Sequence, residues 1–577
     1  MNGVARAALR AAGAAAALGL LAGCGGVPGS IKAQVPTSGP IEQGAQVGVQ
    51  QEDQFIRVIA REPRPGMSET EVVQGFLDAS ASFDGDHAVA REYLTPEASS
   101  RWNTNAGVTI YAGAPDFLEL GSNVTVTAAE AGTIASNGRF SVSGPGGAVA
   151  ETFGLSQVDG EWRIRQVPKG LLLSQSDVDR AFRSFAVYFF NPTYDTLVPD
   201  PRMVPVIGPG LATTLIRQLL AGPSDWLQPA VRTGFPAGVG LNIDSVPIDS
   251  GVARVDLTTS VRLADDRTRQ AMSQQIVWTL KQLPEVQAVE ITAGGQPLIV
   301  PGVTTPQPRD SWPEVDPNAI AAGASGYAAR PEGVVRLSAD AVSPVPGGAG
   351  SGEQVFVDIA VSSDFTSIAG IDTVGGVWAG RMDIGASLIQ VREPGAATGI
   401  AYDRQSVWVV DANEGLLSIG VNGTVEAVTV TGLGKRAQLI SAVPSRDGTR
   451  AALIVRRGPR TSLLLARIVR TAESSARITV DAPLRVESTL AEVADVAWSG
   501  ADTLAVLGNE SAGTMQIYDV SIARGTAVAR GTPEAPVSVG AAPGLPTLVG
   551  SANGLVYEFT AGAWAERVRG SAPTYPG

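Results

Sequence analysis

The chain carries one thiol and one imidazole, Cys24 and His87, against 56 carboxylates. A single Cys excludes an internal disulfide and any zinc site built from Cys and His. His87 sits in Asp84-Gly85-Asp86-His87. Beside two carboxylates it could act as a general base or a metal ligand. The competing reading is a helix-start turn, with Asp as N-cap, Gly at positive φ and an exposed His. No second His, Cys or recognisable nucleophile accompanies it, so the turn is expected. Asp411-Ala412-Asn413-Glu414-Gly415 has the outline of a calcium loop but reads better as a hairpin turn. Gly432-Leu433-Gly434-Lys435-Arg436 lacks the spacing and the Ser or Thr of a phosphate loop. No Gly-x-Ser-x-Gly elbow occurs. With so many acids, chance carboxylate pairs single out no glycosidase site. The expectation is a protein without catalytic residues, cofactor or metal.

Cys24 has a different chemistry. Arg6 and Arg10 form a short positive region, Ala11 to Ala22 is an apolar run too short to span a bilayer, and Leu21-Ala22-Gly23-Cys24 follows. An aliphatic residue, two small residues and Cys resemble a bacterial lipobox. That pattern implies diacylglycerol on the Cys24 thiol, with cleavage before it. Residues 25–50 are rich in Gly, Pro, Ser and Gln and read as a flexible tether with a reach of about 28 Å.

The elements behind these residues need several cores. The chain has 577 residues, 44% hydrophobic and 17% charged, which suits three or four domains and excludes global disorder. Its net charge of −13 argues against a nucleic-acid partner. The 67 Gly and 38 Pro residues point to many strands and turns.

After the signal segment (1–24) and tether (25–50), residues 51–180 read as α+β. Ser68 and Glu71 form a capping box ahead of Val72, Val73, Phe76 and Leu77. A second helix is expected over Asp86 to Tyr93, stopping near Pro96, with strands at Asn123–Ala128, Arg139–Val142, Ala148–Leu155 and about Glu161–Ile164. Helices followed by an antiparallel sheet resemble the NTF2-like cone of many exported lipoproteins. Residues 185–302 alternate strands with amphipathic helices, the latter carrying Leu211, Leu215, Ile216 and Leu219, then Met272, Ile276, Leu280 and Leu283. The strings "YFF…LVPDPR", "LIRQLLAGPS", "ARVDLTTS" and "QQIVWTLKQLPEVQAVEITAGGQPL" resemble the GerMN domain, an α/β binding or assembly module of the bacterial envelope. Arg202 and Gln275 are candidates to line a shared surface. Trp226 is expected to be a packing lid rather than a ligand-stacking residue. Residues 303–322 read as a Pro-rich linker. In residues 323–577 strand–turn–strand units recur irregularly, which predicts a β-propeller of five or six uneven blades, with two packed sheets as the alternative. Val334–Leu337 is expected to pair near Ala563–Val568 to close the ring. Trp378 and Trp408 are expected at equivalent core positions.

A lipobox, an NTF2-like region, a GerMN domain and a propeller, in that order, resemble the LpqB family of actinobacterial lipoproteins. The resemblance implies a non-enzymatic lipoprotein anchored by lipid, including palmitate, at the extracytoplasmic face of the cell membrane. It also implies a partner, the extracellular domain of an MtrB-like sensor histidine kinase, and modulation of two-component signalling in cell-wall homeostasis and division. Two other classes stay open: a binding module for cell-wall glycan or a small ligand, and an enzyme on envelope polymers. The latter calls for a deep cleft with two facing carboxylates and a raised pKa.

Overall fold

The computed structural model describes residues 60–577, apart from 145, 207–209, 340, 405, 421, 471–476, 488 and 511–512. Cys24, the signal segment and the tether lie outside the described residues.

Helix α1 (Glu69–Ser80) starts as its capping box dictates: the Ser68 hydroxyl accepts the Glu71 amide, and the Glu71 carboxylate accepts the Ser68 amide at 2.8 Å. Its apolar stripe is buried. The second expected helix is only α2 (Ala88–Glu92). Pro96 does not end it; it opens α3 (Pro96–Arg101), with Thr95 as N-cap. Proline suits the first helical position because its missing N–H would have no partner there. These helices cover a six-stranded sheet of β1 (Gly107–Leu120), β2 (Asn123–Ala135), β3 (Phe140–Val142), β4 (Ala148–Val158), β5 (Glu161–Gln166) and β6 (Leu171–Ser174), ordered β5-β4-β2-β1-β6 with β3 beside β2. Two register shifts break the period of β1, which hides it from a pattern search.

Helix α4 (Gln175–Ala181) leads into the hairpin of β7 (Phe182–Phe190) and β8 (Leu197–Pro205). Helix α5 (Leu211–Ala221) follows, then β9 (Ile248–Asp249), β10 (Val252–Leu257), α6 (Asp266–Leu280) and β11 (Ala288–Ala293). The last two strands pair in parallel, with α6 as their crossover. Ala253, Val255 and Leu257 are fully buried, as their alternation requires. The Pro-rich stretch is not a free linker. Gln307 pairs with Val289, and Trp312 and Val315 sit in the same core. The Trp312 indole N–H donates to Ser273 Oγ at 3.0 Å, while its carbonyl accepts the Trp278 indole N–H at 3.0 Å. Further on, Asn318 Oδ1 accepts the Ala501 amide at 2.8 Å.

Six sheets then form a ring of blades. Blades 2 to 6 cover residues 356–392, 397–427, 429–485, 492–529 and 536–569. Blade 1 joins Gly326–Ala329, Val335–Leu337 and Val342–Pro344 to the distant strand Ser571–Thr574. The closing contact is therefore Tyr327 with Thr574, not Val334–Leu337 with Ala563–Val568; the latter segment pairs with Leu555–Thr560 inside blade 6. The second strand of blade 4 shows why a continuous apolar run suits this architecture. Ala451 to Val455 are all fully buried, alternately in two different core clusters, because a neighbouring blade covers each face.

Candidate functional site

The innermost strands of the six blades enclose a channel of about 390 Å³. Five of them share one irregularity. The register slips between Phe356 and Asp358, Ala397 and Gly399, Leu439 and Ser441, Val493 and Asp495, and Pro536 and Ser538. A bulge inserts a residue and re-aims its neighbours. The inserted residues are Val357, Thr398, Ile440, Ala494 and Val537, all lining the channel. Val357 and Val537 are 53% and 52% exposed. Four of the five inserted residues are apolar and form a collar, and the next residue along each strand is Asp358, Gly399, Ser441, Asp495 or Ser538.

Asp358 and Asp495 belong to blades 2 and 5, which face each other across a six-bladed ring. Each carboxylate caps its own bulge: Asp358 Oδ1 accepts the Ile359 amide and Asp495 Oδ1 the Val496 amide, both at 2.9 Å. Asp495 Oδ2 also accepts the Val539 amide of blade 6 at 2.8 Å, stapling two blades. Among the described residues neither aspartate has an ion-pair partner. Burial pushes the Asp358 carboxyl up to about 7, with the Asp495 charge adding to it and the Ile359 and Ile400 amides opposing. Burial likewise raises Asp495 to about 6, against the Val539 and Val496 amides. Toward the C-terminal ends of the inner strands, residues 575–577 lie across the channel. Arg446 donates to the Pro576 carbonyl, and the Gly577 amide to the Val361 carbonyl at 3.1 Å. The result is an acidic cup with an apolar rim, which suits a cationic side chain carried on an apolar surface.

The residues singled out from sequence lie elsewhere. His87 is not exposed. It is 4% accessible, packed against Phe83 and Trp102 at 4.7 and 5.7 Å between ring centroids, and burial lowers its pKa. It occupies φ 59° itself, and its side chain does not cap α2. It is a neutral core imidazole. Arg202 and Gln275 do not line a surface; both are buried. Arg202 pairs with Asp200 at 2.6 Å and donates to the Asn137 carbonyl at 2.7 Å, so it clamps the β2–β3 turn onto β8. Gln275 bridges the Tyr188 carbonyl and the Gly234 amide, at 2.6 Å each. Trp226 packs on the core of its own domain, as expected of a lid, and also across a domain boundary onto the propeller. Its indole N–H donates to the blade 4 carbonyl of Ala482 at 2.7 Å. Arg467 answers from blade 4 with a 2.6 Å bond to the Trp226 carbonyl. Trp378 and Trp408 are not equivalent. Trp408 lies on the second strand of blade 3 and is buried; Trp378 lies on the third strand of blade 2, half-buried, and donates to Asp372 at 2.9 Å. Asp411 closes a hairpin by accepting the Asn413 amide at 2.8 Å and the Glu414 amide at 3.1 Å. Gly432 and Gly434 take positive φ in a loop of blade 4. Among the described residues no group of three or more His, Cys, Asp or Glu could hold a metal.

Asp358 and Asp495 were missed, yet a signal exists. Aligned at the bulges, the inner strands read VDIAV, TGIAY, ISAVP, ADVAW and VSVGA. Each places Asp, Gly or Ser after the inserted residue and a small or apolar pair after that.

Comparison with known proteins gives three family-model matches. Residues 62–179 match "Lipoprotein LpqB, N-terminal domain", 186–299 match "Sporulation and spore germination", and 332–576 match "Lipoprotein LpqB beta-propeller domain". Lipoprotein LpqB of Thermobifida fusca is 32% identical, with 97% of each chain covered. Lipoprotein LpqB of Streptomyces coelicolor is 30% identical, covering 97% of this chain and 96% of that one. Among solved structures, the tandem GerMN domains of the sporulation protein GerM from Bacillus subtilis align over 28% of this chain and 62% of that one, at 18% identity and a TM-score of 0.19.

Proposed function

On the premise that the chain belongs to the LpqB lipoprotein family, we propose that it binds the extracellular domain of an MtrB-like sensor histidine kinase and modulates two-component signalling in cell-wall homeostasis and division. It is an envelope lipoprotein. In this reading Cys24 carries the lipid, the body lies at the extracytoplasmic face, and the N-terminal α+β layer is an NTF2-like cone without catalytic work. Among the described residues no helix is long and apolar enough to cross a membrane. The observation that carries the proposal is the channel mouth. An apolar collar lies beside two carboxylates that have no ion-pair partner among the described residues, Arg446 of the same channel being engaged by the Pro576 carbonyl, so a Lys or Arg from a partner gains a charge-assisted contact while its neighbours cover Val357 and Val537. Shared attachment to one membrane raises the effective concentration, so a weak intrinsic contact suffices.

The test is binding of the purified chain to the isolated kinase domain. Saturable binding that weakens in Asp358→Asn/Asp495→Asn supports the proposal. Absence of binding up to about 1 mM, with none restored by tethering both to one vesicle, sinks it. Cys24→Ala should release the chain from membranes.

A second reading has its own observation. Two carboxylates with raised pKa facing one cavity are what a hydrolase of envelope polymers would present. Their oxygens are engaged by backbone amides, which favours the structural and docking role. Release of soluble fragments from purified cell wall, abolished by Asp358→Asn, would reverse that preference.

A further inference from the structure

A second cavity, of about 90 Å³, lies where the three domains meet. Arg139 and Phe140 of the N-terminal layer, Asp200 and Trp226 of the middle domain, and Arg450 and Arg485 of blade 4 all line it. At roughly 30 Å³ of liquid volume per water it has room for about three. Its apolar walls include Leu227 and Leu465, both buried.

The charges around it do not balance. Asp200 is already satisfied by Arg202 at 2.6 Å and by the amide and hydroxyl of Ser224 at 2.7 and 3.0 Å. Arg450, 1% exposed, spends one nitrogen on Asp447 at 2.6 Å, and its Nε has no partner. Among the described residues the Arg139 guanidinium makes neither a hydrogen bond nor an ion pair; it lies 5.3 Å from the Trp226 ring centroid. Burial pulls Arg139 below its usual range, with Asp200 opposing and Arg202 adding to the shift. Among the described residues Arg485 donates only a long 3.4 Å bond, to the Glu487 carbonyl. In a chain of net charge −13, uncompensated guanidinium groups around an apolar pocket cost free energy unless an anion joins them.

We infer that this junction is a binding site for a small organic carboxylate with an apolar body, its charge held by Arg139 and the free Arg450 Nε and its body set against Trp226, Phe140 and Leu465. Arginine suits the role because its planar fork matches a carboxylate and stacks on aromatic rings. Since every domain contributes a wall, the ligand also fastens the three domains together. It binds the native chain selectively and stabilises it by mass action.

Isothermal titration of the purified full chain with benzoate tests this, with benzyl alcohol as the neutral analogue and inorganic phosphate as the anion lacking an apolar body. The expected result is one benzoate per chain, a higher melting temperature, and little or no binding of either control. Arg139→Gln should weaken benzoate about tenfold or more while the unliganded circular dichroism spectrum stays unchanged. If Arg139→Gln does not fold, Arg139→Lys replaces it and should still weaken benzoate, because the planar fork that matches a carboxylate is lost. No heat from benzoate or hexanoate at about 10 mM, or equal affinity in the folded arginine variant, overturns the inference. Phosphate binding as tightly as benzoate also overturns it, because the apolar body then contributes nothing.

Discussion

At the three-domain junction the groups left without a counter-charge are arginines; in the propeller channel they are aspartates. The junction cavity is mainly apolar and the channel mainly polar, and both can be set against the buried ion pairs nearby. Arg202 with Asp200 and Arg450 with Asp447 each meet at 2.6 Å with almost no exposure on either side. A buried pair fixes geometry, and all it leaves for a ligand is an unpartnered nitrogen such as the Arg450 Nε. A buried charge that is only partly satisfied keeps capacity for a ligand of the opposite sign. The contrast separates the parts of this molecule that hold it together from the parts that can recognise something else.

The strongest way to test the contrast is to break a satisfied pair. Asp447→Ala strands Arg450 in the core and should cost about 3–5 kcal/mol in urea unfolding. Burial pushes the Asp447 carboxyl up, but Arg450 and the Thr449 and Ser445 hydroxyls hold it below the usual range. Its contribution is therefore present at neutral pH and lost as pH falls through that depressed value. The variant should lack this acid-sensitive component, and an unchanged acid limb would refute the assignment. Next, Trp226→Ala removes the bond to Ala482 and the contact with Arg139. A loss of about 2–3 kcal/mol is expected, below the full core range because the ring is only partly buried. Scanning calorimetry should show the middle domain and propeller melting separately; a single unshifted transition would mean the seam lies elsewhere.

The channel aspartates behave oppositely to Asp447. Their native pKa values are raised, so between about pH 4 and their values of about 7 and 6 the folded state keeps protons the unfolded state has released. Stability falls as pH rises through this window. In Asp358→Asn/Asp495→Asn the urea midpoint should decline less steeply over the same range; an unaltered slope would contradict the raised values. The smallest stability effect belongs to the collar. Val357→Ser and Val537→Ser should stay within about 0.5 kcal/mol yet weaken the kinase-domain contact several-fold in titration.

How much of this could be read from the sequence varies with the physics behind each element. The capping box at Ser68, the buried alternation of Ala253, Val255 and Leu257, and the blade units were legible because each depends on local periodicity. Pro96 misled because the same residue marks both helix ends and helix starts. Arg202 and Trp226 misled for another reason: their partners are far away in sequence, on the β2–β3 turn and blade 4, while His87 is covered by Phe83 and Trp102 where the short helices fold over one another. The channel aspartates hid among 56 acids, and only alignment of the five bulges isolates them.

The pairing of Gly326–Ala329 with Ser571–Thr574 has a temporal meaning. These strands are separated by roughly 250 residues, and such long-range pairing forms late in folding. Until the strand around residue 572 arrives, the ring stays split and offers an open sheet edge at blade 1. A chain halted earlier during synthesis or export exposes that edge to proteases and to other copies. Ring closure therefore waits on the strand Ser571–Thr574.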